Sequence, residues 1–433
     1  MKICTLMIGA MIFSTAIAKT VTGQTKDTIR EDVFELQRQI DSLKIVVGDL
    51  NYDLQNMKDD VVTTQQKSEK YFEFLEDKTD DDIQLIGDQR SKNKRVDDLL
   101  RAIREKPGQL RFNGSATLRM QSPSKNIQNK SAAVGSFDIF AMTSFGKGTL
   151  LFFDIESIGG DGPDQYFPTY LGLNGDAGTT QGSDGLDHLH LLEGWAEFSV
   201  FDNLFTITAG KIDLTNYFDN NSIANDETLQ FLSGAFINNA SFATTVPSNS
   251  PGMRIQTTLF EKYYFQFGLS SIDNMGKAIL SDLFKTASLR FRLFANSSWE
   301  TNFRFYGYQS PVANDAQGYG TSIDGMFFEK YNVFIRYGNN NYNLDVSSGI
   351  SESWSAGFSF LQNFSNRGIN FGVAYGEVIP FDGALNNEKQ FEAYARYRFN
   401  EWVYVSPHFQ WVFDAMGSDT NYKVFGFRTH FNF

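Results

Sequence analysis

The feature that most constrains the fold is a two-residue alternation of apolar and polar side chains that recurs throughout the chain after Pro107. In "LRFNGSATLRM", residues 110–120, one parity carries Leu, Phe, Gly, Ala, Leu and Met, and the other carries Arg, Asn, Ser, Thr and Arg. The same period returns in "ASLRFRLF", "NFRFYGY", "NVFIRYG", "FEAYARYRF" and "SPHFQWVF". A period of two is that of a β-strand with one apolar and one polar face.

Composition also changes near Pro107, and the change favours a membrane barrel over a soluble sheet. The chain has 42 Phe, 18 Tyr and 5 Trp, and only six of these 65 rings precede Pro107. A soluble β-sandwich also alternates, but its apolar face turns inward, so its surface does not need so many aromatic residues. We therefore predict that residues 107–433 form an all-β transmembrane barrel of roughly 16 antiparallel strands around an aqueous channel.

The region before Pro107 has a different periodicity, which predicts an α-helical coiled coil. Apolar residues recur at alternating steps of four and three from Ile29 to Val61, and less regularly up to Ile103. A continuous helix over this repeat would be roughly 110 Å long. The alternative is a helical hairpin, but the middle of the repeat lacks a strong turn signal. We expect residues 19–106 to form a parallel oligomeric stalk in the periplasm.

The first 18 residues have the layout of a secretory signal peptide. Lys2 precedes the apolar run "ICTLMIGAMIF", and Ala16 and Ala18 form a small-x-small cleavage motif. The run is too short to span a bilayer as a helix, and the alternative is a retained amphipathic anchor. Cys4, the single cysteine, lies in this segment, so we expect no disulfide and no cysteine-ligated metal in the mature chain. The final strand pattern, "VFGFRTHFNF", is typical of bacterial outer-membrane barrels.

A polar block, "KIDLTNYFDNNSIANDETLQFL" at 211–232, directly follows the strand-like "LFTITAG". The longer stretch "ITAGKIDLTNYFDNNSIANDETLQFLSGAFINN" resembles the signature of the carbohydrate-selective (OprB-type) porins, as do "LLEGWAEFSVFDN" before it and "PSNSPGMRIQTTL" after it. Weaker matches extend the resemblance from about Leu110 to Phe433. The stalk is similar to that of longer cyanobacterial outer-membrane porins, but their wall-binding module has no counterpart between Lys19 and Ile29.

The resemblance implies a passive diffusion channel for small hydrophilic solutes, above all carbohydrates, and no enzymatic activity. A polar segment persists at membrane depth only where it lines water, so we expect this block to fold into the lumen and form part of the constriction. Amides and carboxylates beside aromatic rings suit sugar hydroxyls. The alternative is a capped helix outside the pore that only fixes strand register. The constriction candidates are Tyr217, Phe218, Asp219, Asn220, Asn221, Asn225, Asp226 and Gln230.

Charged residues of the inward parity give a second indication about the pore. Opposed walls of unlike charge would set up a transverse field that discriminates polar solutes. The alternative is that these charges are solvated or paired in the lumen. The inward arginines are Arg111, Arg119, Arg254, Arg290, Arg292, Arg304, Arg336, Arg396, Arg398 and Arg428. The opposing acidic wall consists of Asp154, Glu156, Glu193 and Glu197.

Other chemistry has weak support in the sequence. The "HLH" motif at His188 and His190 lacks a nearby third ligand, and the Gly/Asp-rich stretches between Gly159 and Gly185 are more typical of turns than of calcium loops. No nucleophile is accompanied by its base, and no phosphate-binding glycine loop follows a strand. We expect neither a cofactor nor a metal. The net charge of −13 argues against a nucleic-acid partner.

Two rival functions remain open at the level of the sequence. One is a general or ion-conducting porin whose stalk tethers the membrane to the cell wall. The other is an adhesin, but there each chain of a trimer supplies only a few strands, so closure of the barrel by one chain distinguishes the two. The expected partners are outer-membrane lipid, small hydrophilic solutes and two further copies in a homotrimer. Val33 and Ile40 in the repeat instead favour a two-stranded coil.

Overall fold

The structure, a computed structural model, describes residues 34–42, 44, 48 and 110–433, the last range with gaps at 125–130, 145–148, 202–203, 260–262, 274, 278–280, 295–298, 312–315, 329, 342–348, 365–366 and 401. The chain divides into two compact units, Met1–Thr79 and Asp80–Phe433. In the first unit, residues 34–42 form a helix, α1, in which Leu36 and Ile40 of the heptad repeat are less exposed than their neighbours. The predicted signal peptide and most of the predicted stalk lie outside the described residues. Among the described residues, no helix is both long and apolar enough to cross a membrane.

The second unit forms a closed barrel of sixteen strands within its described residues. Each strand pairs antiparallel with its neighbours in sequence, and β1 pairs with β16 to close the barrel. The predicted antiparallel barrel is therefore confirmed. The strands are β1 (Arg111–Pro123), β2 (Ala132–Ser144), β3 (Thr149–Gly159), β4 (His190–Val200), β5 (Phe205–Ile212), β6 (Ser250–Leu259), β7 (Tyr263–Ser271), β8 (Leu283–Leu293), β9 (Thr301–Ser310), β10 (Ala316–Phe327), β11 (Tyr331–Asn341), β12 (Ile350–Phe364), β13 (Arg367–Pro380), β14 (Glu388–Arg398), β15 (Val403–Phe413) and β16 (Tyr422–Asn432).

The alternation in the sequence separates the two faces of the barrel. In β1, Thr117 and Arg119 are buried on the inner face, whereas Leu118 and Met120 are exposed on the outer face. Successive side chains of a strand point to opposite faces, so one parity of each strand faces out of the barrel. The exposed outer face is rich in aromatic residues, which include Phe112, Phe265, Phe267, Phe303, Phe305, Phe358, Phe371, Phe425, Phe427 and Phe431.

The two rims of the barrel differ in the length of their connections. Because the strand number is even, the start of β1 and the end of β16 lie at the same rim. This rim otherwise carries only short turns, whereas the two longest connections, 160–189 and 213–249, start from the opposite rim. Short turns at one rim and long loops at the other are typical of outer-membrane barrels.

The last residue stabilises the seam where the barrel closes. The backbone of Phe433 exchanges two hydrogen bonds with Gly114 on β1, at 2.9 and 3.0 Å. Its ring stacks on Phe137 of β2, with ring centroids 5.7 Å apart, and it covers the Cα of Gly114, where any larger side chain would collide with it. The terminal aromatic residue thus belongs to the contacts that join both ends of the sheet.

Candidate functional site

The polar block predicted to enter the pore belongs to residues 213–249, here called the inserted segment, which connect β5 to β6. The segment contains three short helices, α2 (Thr215–Phe218), α3 (Gly234–Ile237) and α4 (Ala240–Ala243). Helix α2 contacts β8, α4 contacts β10, β11 and β12, and α3 contacts β13. The segment therefore crosses the lumen and covers the inner face of strands β8–β16, which we call the covered wall.

Apolar residues spaced between the polar ones attach the inserted segment to this wall. Phe242 packs on Tyr306 and Phe284, with ring centroids 4.8 and 6.2 Å apart. Phe231 packs on Phe334 at 5.8 Å and on Tyr394 at 5.1 Å. Burying each such side chain contributes about 1.5–3 kcal/mol, so these rings stabilise a segment whose composition is otherwise polar.

Arg336 on β11 makes the most extensive polar contact with the inserted segment. Its guanidinium donates to the backbone oxygens of Asp219 at 3.0 Å and Phe236 at 2.5 Å, and to Asn225 Oδ1 at 3.2 Å. Its Nε lies 3.4 Å from Asp219 Oδ1, and both side chains are almost completely buried. Asp219 also accepts from the hydroxyl of Tyr306 at 2.9 Å. A buried carboxylate needs such partners, so Asp219 contacts an arginine directly instead of facing one across water.

Three further arginines bind backbone oxygens of the same segment. Arg428 donates to the carbonyls of Glu227 and Gln230, both at 2.9 Å. Arg396 donates to the carbonyl of Leu229 at 3.0 Å. Arg119 lies opposite Arg428 in the β1–β16 strand register, and its guanidinium donates to the carbonyl of Glu227 at 3.5 Å. Guanidinium groups carry five donors and no acceptor, which suits an irregular segment with many unpaired carbonyls.

Acidic and hydroxyl side chains of the covered wall accept hydrogen bonds from the N–H and O–H donors of the inserted segment. Glu392 accepts from the backbone N–H of Leu232 at 2.7 Å and of Ser233 at 2.9 Å. Asp324 accepts from the hydroxyl of Ser222 at 2.6 Å. Asn221 donates to the hydroxyl of Ser322 at 3.0 Å. The segment is therefore bonded to the wall along most of its length.

Residues 160–189 form a second insertion, for which the sequence predicts only turns or calcium loops. Gly175 N–H donates to the carbonyl of Leu232 at 2.7 Å, and Gly234 N–H donates to the carbonyl of Gly172 at 3.1 Å. Asp176 forms an ion pair with Arg119. The two insertions thus bind each other inside the barrel. The sequence signal for this role was the length of the connection.

A cavity of about 580 Å³ remains between the insertions and the inner face of β2–β4, which we call the open wall. Ends of β1 and β16 complete it through Asn113, Ser115, His430 and Asn432. The volume lies within the range of roughly 300–1,000 Å³ that is usual for small-molecule sites.

Aromatic side chains line part of this cavity. On the open wall, Phe152 of β3 stacks on Trp195 of β4 at 4.9 Å and on Phe140 of β2 at 6.1 Å. Tyr217 of the inserted segment lines the same cavity. Its ring is covered on one face by the guanidinium of Arg254, 4.0 Å from the ring centroid. Phe152 and Trp195 are each only 4% exposed, so a small part of these two rings borders the cavity.

Carboxylates line the remainder of the cavity. Among the lining residues that the structure describes, there are eight carboxylate side chains and neither arginine nor lysine. Three of the four predicted acidic residues are in this set, whereas Glu197 lies beside it and pairs with Arg254 at 3.4 Å. The eight are Asp138, Asp154, Glu156, Asp176, Glu193, Asp213, Asp226 and Glu227.

The structure distributes the predicted constriction residues between the cavity and the covered wall. Tyr217, Asn225 and Asp226 line the cavity. Phe218 is fully buried in the apolar cluster around Phe242. The other candidates are buried within the segment and its contacts: Asp219, Asn220, Asn221 and Gln230.

The remaining predicted arginines lie away from the cavity lining and have neighbours of their own. Arg304 pairs with Asp324, and Arg292 pairs with Glu300 at 2.9 Å. Arg290 donates to Asn302 Oδ1 at 2.9 Å. Arg398 donates to the carbonyl of Asn400 at 3.4 Å, and Arg111 is partly exposed at the start of β1. The arginines of the described residues thus lie outside the cavity lining, although Arg119 forms an ion pair with Asp176, which lines the cavity.

The histidines of the "HLH" motif lie in the second insertion and at the start of β4. His188 Nε2 lies 3.0 Å from Asp184 Oδ1 in an exposed part of the insertion. In the described part of the chain, no group of three or more His, Cys, Asp or Glu residues is arranged to hold a metal ion.

Comparison with known proteins agrees with the barrel and with the signature block. The sequence matches the family described as "Carbohydrate-selective porin, OprB family" over residues 153–286 and 307–433. Over 247 aligned residues it is 28% identical to an uncharacterised protein of Aquifex aeolicus. The alignment covers 56% of this chain and 69% of that protein.

Two solved structures share the fold. The high-pH structure of Pseudomonas putida OprB has a TM-score of 0.59 at 14% identity. The match covers 75% of this chain and 94% of the Pseudomonas putida chain. The low-pH structure of the same protein has a TM-score of 0.51 at 12% identity, with 75% and 92% covered. The barrel and the porin family place the chain in the bacterial outer membrane. Because the family match extends over more than half of the sequence, the chain is a member of the carbohydrate-selective porin (OprB) family.

Proposed function

We propose that this chain is a passive diffusion channel for small hydrophilic solutes, with carbohydrates as the main class, and that solute passes between the open wall and the inserted segment. The observation that carries this proposal is the cavity of about 580 Å³ in which aromatic rings and oxygen acceptors occur side by side. Sugars present both CH faces and hydroxyl donors, so such a surface holds them weakly without stopping passage.

The constriction is formed by the inserted segment. Its hydrogen bonds with side chains of β11, β14 and β16 hold it as a fixed element instead of a mobile lid, since its backbone carbonyls and N–H groups are paired with buried side chains. The size limit of the channel then depends on how completely the segment stays attached to the covered wall.

Flux measurements test this function directly. We expect the purified full chain in lipid vesicles to admit monosaccharides quickly and trisaccharides much more slowly, as followed by osmotic swelling. In planar bilayers, added sugar should reduce ion current because it occupies the same cavity. Vesicles that swell equally with all sugar sizes, or not at all, would show that the insertions do not form a size-selective passage.

We also propose that the rim with the chain ends faces the periplasm, because it carries the short turns. Residues 19–106 would then form a periplasmic stalk, and contact with the cell wall is one role for it. The partial burial of Leu36 and Ile40 in α1 supports a seam along that helix. Cysteine labelling of whole cells at Asp184 and at Asn400 tests the orientation, since only the residue on the outer rim should react with an impermeant reagent.

We further propose that the protein is a homotrimer, in which the symmetry of the barrels determines the number of helices in the stalk. The Val and Ile residues of the heptad repeat favour two strands in isolated coils, so the two regions make opposite predictions. Chemical crosslinking of the detergent-purified full chain should give a ladder that ends at trimer. A ladder that ends at dimer would contradict the proposal.

A further inference from the structure

We propose that the outer face of β14–β16 binds a lipid whose sugar headgroup carries two phosphates and several acyl chains, which is the chemistry of lipopolysaccharide. The site consists of Lys389, Trp411 and Lys423, here called the lysine patch. It lies near the rim from which the two long connections start, here called the long-loop rim. The inference goes beyond the proposed function, because it concerns the outside of the barrel and not the passage. Its choice of leaflet rests on the proposed orientation.

The first observation is the position of lysines in the sheet. In the described strands, each of the four lysines lies within three residues of the strand end at the long-loop rim. They are Lys211 in β5, Lys285 in β8, Lys389 in β14 and Lys423 in β16. A lysine near the end of a membrane strand keeps its ammonium group at the level of the lipid headgroups. The lysines of the strands are therefore placed to meet phosphates in one of the two leaflets.

The second observation is that Lys389 and Lys423 flank one strand. Lys389 is paired with Phe413 in the β14–β15 register, and Lys423 is paired with Trp411 in the β15–β16 register. Two strand spacings and an offset of two residues place the Cα atoms of the lysines roughly 12 Å apart. A phospholipid with one phosphate contacts one of these lysines, whereas two phosphates at opposite ends of a disaccharide can contact both.

Both lysines have neighbours that a phosphate can replace or leave in place. Lys423 is exposed, and its Nζ lies 4.1 Å from the ring centroid of Trp411. The Nζ of Lys389 lies 3.3 Å from Asp414 Oδ2, and these side chains remain 37% and 25% exposed. An exposed ion pair of this kind contributes little to stability. A phosphate can therefore bind Lys389 in place of Asp414, and it can bind Lys423 while Trp411 stays in contact with the lysine.

The third observation, independent of charge, is a row of rings on the membrane side of the lysine patch. Phe391, Phe409 and Phe425 lie on β14, β15 and β16, and the ring centroids of successive members are 6.2 and 5.2 Å apart. Each ring is two residues further along its strand from the rim than Lys389, Trp411 or Lys423, so it shares their outward face. Phe425 is 56% exposed. A row across three strands offers apolar contact to several acyl chains below one headgroup.

Lipid titrations followed by native mass spectrometry of the purified full chain test this site. The probes are bisphosphorylated lipid A, phosphatidylglycerol and phosphatidylcholine, and we expect the wild type to bind lipid A most tightly. Replacing both lysines (Lys389→Gln, Lys423→Gln) should weaken lipid A binding about thirtyfold, since each lysine at an anionic headgroup contributes about fivefold. Lys285→Gln is the matched control, because Lys285 lies at the same rim on β8, away from the lysine patch, and this variant should bind lipid A as the wild type does.

Asp414→Asn tests the site in the opposite direction. The variant removes the carboxylate that competes for Lys389 and should tighten lipid A binding about twofold. Asparagine tolerates the left-handed backbone at this position, where φ is 54°. Equal binding of lipid A by the wild type and the double lysine variant, or equal binding of phosphatidylglycerol and lipid A by the wild type, would overturn the inference. We expect sugar entry into vesicles to be the same in the double variant as in the wild type, so this result is separate from the test of the channel.

Discussion

The covered wall and the open wall are both built from strands in which apolar and polar side chains alternate, yet their inner faces make different contacts. The covered wall carries Arg336, Arg396 and Arg428, which donate to the inserted segment, and carboxylates such as Glu392, which accept from it. The open wall carries carboxylates and stacked rings that border a cavity. An inserted segment with few helical hydrogen bonds therefore attaches where strands provide guanidinium donors for its carbonyls.

The seam between β1 and β16 shows how this attachment also stabilises the barrel. Arg119 and Arg428 lie directly opposite each other in the β1–β16 register, an arrangement that is unfavourable for like charges. Both donate to the carbonyl of Glu227, and Arg119 also pairs with Asp176. The two insertions therefore supply the partners that allow two buried arginines to be neighbours.

The largest expected effect comes from breaking the contacts of Arg336, which are the most extensive between the covered wall and the inserted segment. Arg336→Gln leaves the buried carboxylate of Asp219 without its cation, which costs about 3–5 kcal/mol and should release part of the inserted segment. We expect higher single-channel conductance and faster proteolysis between β5 and β6. Arg292→Gln is the matched control, because Arg292 lies near the rim at the end of β8 and pairs with Glu300. Conductance equal to that of the wild type would show that Arg336 does not hold the constriction.

A second prediction concerns the pH dependence of the second insertion. Burial raises the pKa of Asp164 from 3.8 to about 6, despite hydrogen bonds from Leu173 and Thr169 that lower it. Because the folded pKa lies above the unfolded one, the insertion is most stable below about pH 4 and loses about 3 kcal/mol as the pH rises to about 6. Limited proteolysis of residues 160–189 should therefore be slower at pH 4.5 than at pH 7. Asp164→Asn should abolish this difference, and persistence of the difference in that variant would assign it to another group.

A third prediction tests how closely the inserted segment must approach the covered wall. Gly338 on β11 faces the side chain of Asn239, which a Cβ at this position would strike, and Asn239 Nδ2 donates to the carbonyl of Tyr337 at 2.7 Å. Gly338→Ala should therefore displace α4 at a cost of about 1–3 kcal/mol and raise conductance. Gly383→Ala serves as the control, because a Cβ there has no neighbour within 4 Å. Unchanged conductance in Gly338→Ala would place the size limit elsewhere.

The smallest effect is expected from the open wall. Trp195→Ala removes the ring that stacks on Phe152 and should weaken the block of ion current by sugars by about 1 kcal/mol, close to fivefold in the blocking constant. Trp354→Ala is the matched control, since Trp354 is 37% exposed on the outer face. If sugars block ion current equally well in both variants, the stacked rings of the open wall do not contact sugars in transit.

Much of the barrel was predictable because strand alternation is a local property. The parity of Arg119, Arg336 and Arg428 in their strands was enough to place these side chains on the inner face, where the structure has them. The polar character of residues 211–232 was likewise enough to predict a segment inside the lumen, because lipid excludes unpaired polar groups.

The partners of those inner residues required the tertiary structure. Asp219 and Arg336 are separated by more than a hundred residues, and no periodicity indicates that they touch. The role of residues 160–189 was missed for the same reason, since a Gly/Asp-rich connection has the same composition whether it forms exposed turns or binds Leu232 inside the barrel. Alternation determines which face a side chain occupies, because it depends only on the strand backbone. The pairing of charges across the lumen is decided by where two long insertions come to rest, and that depends on packing between parts of the chain that are far apart in sequence.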